Sequence, residues 1–158
     1  MPDLESLLER LIRGQVEFVV VGGFAAVAHG VSLLTQDIDI CCAFVPDNLL
    51  RLQAVIADLH PVHRMLPARP PLQLTRETCS GLKNLYLDTD WGQLDCLGAV
   101  LGVGGYDEVV PQSVEVQLPA GVCRVLAIDA LIRAKEAMGR DRDREAVLQL
   151  KAIRERTQ

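Results

Sequence analysis

Residues 17–40 read EFVVVGGFAAVAHGVSLLTQDIDI. The stretch opens on a β-branched run, Val19 to Val21, closed by Gly22 and Gly23. Such a run bounded by glycines predicts a buried strand. FAAVAHG (24–30) is small, helix-forming and ends on Gly30, so a short helix follows. DIDICCAF (37–44) alternates as a second strand. The fold turns on this unit of strand, glycine turn, short helix and carboxylate-bearing strand.

On a strand, residues i and i+2 share a face. Asp37 and Asp39 therefore project together, roughly 6–7 Å apart at the backbone, and Ile38 and Ile40 face the core. Two carboxylates on a core strand repel each other and resist burial unless a cation neutralises them. Hard oxygen donors suit Mg²⁺ or Mn²⁺ better than zinc. An exposed strand edge or turn would explain the pair equally well, and Asp-x-Asp alone does not decide. Gly22 and Gly23 let the backbone approach a ligand closely. Free N–H groups at the start of the next helix favour an anion, phosphate being the natural guest. A tight strand-to-helix turn without a ligand is the plain alternative. Asp95, in WGQLDCLG (91–98), is a third carboxylate among apolar neighbours. If its strand lies beside that of Asp37 and Asp39, the three converge as the ligand set of two-metal phosphoryl chemistry. Otherwise Asp95 is a strand-end residue paired with a base such as Lys83.

The rest of the chain frames this unit. Leu4, Leu7, Leu8, Leu11 and Ile12 form a helical stripe stopped by Gly14. Residues 46–60, opened by Pro46 and Asp47, predict a second long helix. The proline-rich stretch 61–75 reads as an irregular connection with a short strand near Leu72–Leu74. Residues 84–98 predict two strands around a turn at Asp90–Gly92, and GVGGY (102–106) a flexible loop. Residues 113–127 predict a hairpin. A helix over 128–140, with Asp129 as its cap, and another over 141–155 follow. The fold class is therefore α+β (mixed α/β): a central twisted mixed sheet flanked by helices, with two C-terminal helices. The expected organisation is one domain over 1–158, with a sheet core over 1–127 and a helix pair over 128–156.

Bulk composition agrees with a packed core: 158 residues, 49% hydrophobic and only 4% aromatic. No apolar run is long enough to span a membrane and the acidic amphipathic start is not a targeting signal, so a cytoplasmic location is expected. Five cysteines lie mostly among apolar residues, where a thiol acts as a small hydrophobe rather than a disulfide or zinc ligand. His60 and His63 read as a surface turn. Charge is uneven. Residues 1–123 carry 7 basic and 15 acidic groups, and residues 124–158 carry 9 and 6, so the tail is positive. That asymmetry fits an anion-binding end or a solvated helix pair.

These motifs together resemble the nucleotidyltransferase superfamily typified by DNA polymerase beta. Thirteen residues separate Gly23 from the Asp37-x-Asp39 strand, and Asp95 follows on a later strand. More narrowly, the chain is similar to small bacterial stand-alone nucleotidyltransferase-like proteins related to the abortive-infection toxin group. The shared features are WGQLDCLG (91–98), GVGGY (102–106) and the ending LIRAKEAMGRDRD (131–143), within a likeness spanning roughly residues 16–150. The resemblance implies a nucleotidyltransferase-like fold. It implies transfer of a nucleoside monophosphate from an NTP to an acceptor hydroxyl or phosphate, on a protein, a tRNA end or a small molecule. It implies that Asp37 and Asp39 ligate both Mg²⁺ (or Mn²⁺) ions and Asp95 one of them. Gly22 and Gly23 would hold the triphosphate, Lys135 would contact phosphate, and Arg140 or Arg142 would do so secondarily. Asp143 would pair with Arg140 or Lys135, and a plain salt-bridged helix pair would explain these tail residues equally well. Two positions depart from the pattern. Leu33 and Leu34 stand where relatives often carry an Arg, and Asp141 stands where they tend to have Pro. The competing expectation is a binding or regulatory module such as a toxin–antitoxin component, with a small helical protein partner. A homodimer through the last helices stays open.

Overall fold

A computed structural model describes residues 3–157. Helix α1 (Leu4–Arg13) is started by Asp3, whose carboxylate accepts from the Ser6 N–H at 3.1 Å, and its Leu7, Leu8 and Leu11 are buried. Strand β1 (Phe18–Val21) runs directly into α2 (Gly22–Ala28), and β2 (Asp37–Cys42) returns antiparallel to β1. Helix α3 (Pro46–Ile56) has Pro46 in its first turn, where a missing N–H costs nothing. Buried Asn48 on α3 donates to Glu17 O and Ala43 O and accepts from Glu17 N, which clamps the open ends of β1 and β2. A 3-10 turn (Ala57–Leu59) extends α3, and β3 (Val62–His63) follows. Next come α4 (Arg76–Cys79), β4 (Asn84–Thr89), β5 (Gly92–Leu97), β6 (Ala99–Val100), β7 (Gly104–Gly105) and α5 (Tyr106–Val109). The hairpin of β8 (Ser113–Leu118) and β9 (Gly121–Leu126) leads to α6 (Ile128–Met138) and α7 (Arg144–Thr157).

Seven strands form one mixed sheet in the order β3-β4-β5-β2-β1-β9-β8. Two neighbour pairs, β2 with β5 and β1 with β9, are parallel, and the rest are antiparallel. The carboxylate-bearing β2 is thus the central strand, pinned on both edges. Ile38, Ile40, Leu94 and Cys96 are fully buried on one side of the β2–β5 pair. All five cysteines are buried. The mixed α+β class, the central sheet and the closing helix pair are as the sequence predicts.

Several local expectations differ. GVGGY is not a loose loop. Gly104 and Gly105 pair with Val100 and Ala99 as a two-stranded sheet, and Tyr106 opens α5. A Cβ on Gly104 would stand 2.8 Å from Glu108 Cβ, so glycine permits a close approach there. Asp129 does not cap α6. The N-cap is Ala127, and Asp129 pairs with Arg154 of α7 instead. Leu72–Leu74 form no strand. The short strand falls at Val62–His63, with an isolated bridge from Val62 to Pro71. Gly22 and Gly23 lie in the first turn of α2 rather than ahead of it.

Candidate active site

The register of the parallel pair decides the site. Asp39 stands opposite Asp95, and Asp37 stands opposite Gln93. One carboxylate oxygen from each of Asp37, Asp39 and Asp95 lies within 4.8 Å of the others. They line a groove of about 730 Å³ that Gly22, Gly23, Lys135, Arg140 and Arg142 also border. The candidate metal ligands and phosphate contacts named from the sequence therefore border one cleft. Its two walls reproduce the charge split of the chain. The sheet supplies acid, and α6 with the segment after it supplies base.

The carboxylates are uncomfortable alone. Burial, then Asp37 and then Asp95, push the Asp39 carboxyl up to about 7, against the opposing pull of Arg140 and Lys135. Burial likewise pushes Asp95 up to about 6, although Arg64 draws it down. Gly22 makes the crowding feasible. It sits at φ +74, and a Cβ there would stand 2.3 Å from Asp39 Oδ2. Only glycine allows both this backbone and this carboxylate. Gly23 is less constrained, its added Cβ meeting Leu33 Cδ2 at 3.4 Å.

On the opposite wall, Lys135 is 5% exposed and donates to Asp143 Oδ1 at 3.2 Å. Arg140 donates from Nε to Asp143 Oδ2 at 2.6 Å. Gly139 (φ 64) ends α6 in the left-handed region and turns Arg140 back toward the groove. Burial pushes the Asp143 carboxyl up, but the Arg140 and Lys135 bonds outweigh it and hold it below its ordinary value. Asp143 thus holds two cations on the rim of the cleft, facing the carboxylate row.

Leu33 and Leu34, which the sequence marks as a departure from the pattern, border the groove, with Leu34 87% exposed. The feature that escaped the sequence is Arg64, which donates from Nη1 to Asp95 Oδ1 at 2.6 Å and from Nη2 to Asp95 Oδ2 at 3.0 Å. Lys83, the base named in the alternative reading of Asp95, does not take this place. Arg64 follows the short edge strand β3, and its N–H bonds to Tyr86 O at 2.9 Å. Tyr86 is the β4 residue opposite Asp95. The pair joins residues 31 apart through two strand pairings, and no local signal around HRMLPARPP announces it. His60 bonds Asp90 at 2.6 Å on the surface, away from the groove.

No protein-family model matches the chain, and no curated protein matches it by sequence. Solved structures do. The lincosamide antibiotic adenylyltransferase LnuA, lincomycin-bound, superposes with a TM-score of 0.62 at 17% identity, covering 95% of each chain. A nucleotidyltransferase candidate from Thermotoga maritima, TM1012, gives 0.56 at 17% identity over 94% of each. ANT(2'')-Ia, in complex with adenylyl-2''-tobramycin, gives 0.56 at 16% identity over 98% of this chain and 97% of its own. The chain shares the fold of these nucleotidyltransferase structures. No helix among the described residues is long and apolar enough to cross a membrane.

Proposed function

We propose that this chain, built on a nucleotidyltransferase fold, is a divalent-metal-dependent nucleotidyltransferase. It would move a nucleoside monophosphate from an NTP to an acceptor hydroxyl or phosphate. The observation that carries this reading is the convergence of Asp37, Asp39 and Asp95 within 4.8 Å, facing a basic wall across one groove. The donor set fits the metal. Three carboxylate oxygens are hard ligands suited to Mg²⁺ or Mn²⁺, and burial, with the neighbouring carboxylates, pushes the Asp39 and Asp95 carboxyls up. Bound there, the ions would neutralise the triphosphate and make the acceptor oxygen easier to deprotonate.

The chain's own groups supply positioning and charge, which is most of what phosphoryl transfer needs. Asp37 and Asp39 hold the nucleotide side of the row, and Asp95 holds the acceptor side. Gly22 admits Asp39 to that row. Lys135 and Arg140 meet the triphosphate from the opposite wall, pre-aimed by Asp143. The groove volume suits a small acceptor. LnuA is lincomycin-bound and ANT(2'')-Ia is in complex with adenylyl-2''-tobramycin, which lends that choice support. The acidic first 123 residues disfavour a long nucleic-acid track.

A second reading has one observation behind it. Leu34 is 87% exposed at the groove where a basic residue would aid triphosphate binding. A catalytically weak binding or regulatory module, such as a toxin–antitoxin component with a small helical partner, would tolerate that change. Incubation with each α-labelled NTP, Mg²⁺ and fractionated cell extract separates the two. Label entering a small-molecule, protein or RNA fraction with wild type, and not with Asp37→Ala/Asp39→Ala, supports the enzyme. No transfer and no pyrophosphate from the wild type in any fraction refutes it.

A further inference from the structure

Both oxygens of Asp95 already have a cation. The Arg64 fork, at 2.6 and 3.0 Å, is the bidentate geometry that makes Arg–carboxylate pairs strong and directional. Yet an oxygen of the same carboxylate belongs to the cluster within 4.8 Å that suits a divalent ion. One carboxylate thus faces two cations, one built in and one from solution.

The surroundings of Arg64 favour exchange over permanence. It follows a two-residue edge strand, and the chain beyond it turns through Ala68 (φ 62) and Arg69 (φ 45). Its side chain is 20% exposed, so the pair is within reach of solvent and not in the sealed core. The Tyr86 ring, partly exposed, has its centroid 5.9 Å from the guanidinium and offers it a second resting place.

We propose that Arg64 is a built-in counter-ion of Asp95 that gives way to a divalent ion: it holds the carboxylate row together in the metal-free chain and releases an Asp95 oxygen when the ion binds. Arg64 is a positioning residue, acting through Asp95. The proposal rests on the metal-binding reading of the three carboxylates. It makes the Asp95 end of the row the weaker ion site, loaded last, because the incoming charge must evict a resident one. The rival arrangement keeps Arg64 in place behind Asp95 as an orienting partner, as outer-sphere groups commonly do. The two differ in sign. Loss of an evicted competitor tightens ion binding, whereas loss of an orienting partner loosens it.

The test uses the whole chain and Mn²⁺ alone. Free Mn²⁺ is counted by its electron paramagnetic resonance signal for wild type, Arg64→Gln and Arg64→Lys, and each is melted in EDTA and in Mn²⁺. An arginine beside a carboxylate opposes proton uptake by about ten- to a thousandfold, so Arg64→Gln should bind Mn²⁺ at least about tenfold tighter than wild type. It should melt lower in EDTA and gain more from Mn²⁺. A Gln variant that folds only with Mn²⁺ present is the same result in stronger form. Arg64→Lys, keeping the charge without the fork, should fall between. Wild type that binds Mn²⁺ while both variants bind it equally or more weakly overturns the eviction and leaves the metal reading standing. Folded wild type and variants that all ignore Mn²⁺ overturn both.

Discussion

Asp39→Asn should stabilise the metal-free protein at pH 8, although Asp39 lies at the centre of the proposed active site. Burial and the neighbouring Asp37 and Asp95 raise this carboxyl from 3.8 to about 7. Ionising it in the folded chain at pH 8 therefore costs about 4 kcal/mol relative to the unfolded chain. Coupling within the row and partial exposure reduce the recoverable share to about 1–3 kcal/mol. The sign follows from the direction. A carboxyl raised on folding favours the folded state while it keeps its proton, and that advantage is lost as pH climbs from about 4 through about 7. Asparagine carries no such proton, so the variant's advantage is full at pH 8. At pH 5 the folded wild type stays protonated and the advantage shrinks to about a third. The assay is thermal melting in EDTA at both pH values. For a chain of this size the expected gain at pH 8 is about 3–8 °C. With saturating Mg²⁺ the order should invert, because only the wild type retains the ligand. An Asn variant melting at or below wild type at pH 8 in EDTA, or gaining equally at both pH values, would refute the reasoning.

The two glycines should part company under substitution. Gly22→Ala meets both a positive φ and Asp39 Oδ2 at 2.3 Å, and should cost about 2–4 kcal/mol in urea unfolding. Gly23→Ala has ordinary room and should stay within about 0.5 kcal/mol; equal losses would discredit the packing role given to Gly22. Asp143→Asn strips buried Lys135 of its carboxylate and should cost about 3 kcal/mol. Adding Lys135→Met should restore part of that loss, and a double variant showing simple additivity would deny the coupling.

The legible parts of the site were those set by local periodicity. Asp37 and Asp39 had to share a face because a strand repeats every two residues. The helix predicted over 128–140 is found over Ile128–Met138, with Gly139 closing it at a φ of 64 that glycine readily takes. Asp95 was legible only as a conditional, since neighbouring of β2 and β5 is a matter of sheet order, which no window of sequence contains. Arg64 was invisible for the same reason, compounded by β3 being two residues long. Lys83, the base named in the alternative reading of Asp95, is exposed on the approach to β4. The glycines of GVGGY suggested looseness because permissive backbone and close packing call for the same residue. Gly102, where a Cβ would lie 3.0 Å from Arg133 O, is an instance of the second. Asp129 had the composition of a cap, but α6 starts at Ile128 with Ala127 as its N-cap, two residues too early for it.

The single parallel pairing of β1 with β9, at Val20 and Val125, joins positions 105 residues apart. Contacts of such separation form late in folding, after local hairpins and helices. During synthesis, then, the acidic row on β2 and β5 can assemble before β9 and the α6–α7 pair arrive to face it with Lys135 and Arg140. The nascent chain would pass through a stage with its carboxylates in place and its basic wall still missing. At that stage divalent cations in solution would act as a folding aid. The same ions would thus serve the molecule first in its biogenesis and later in its chemistry.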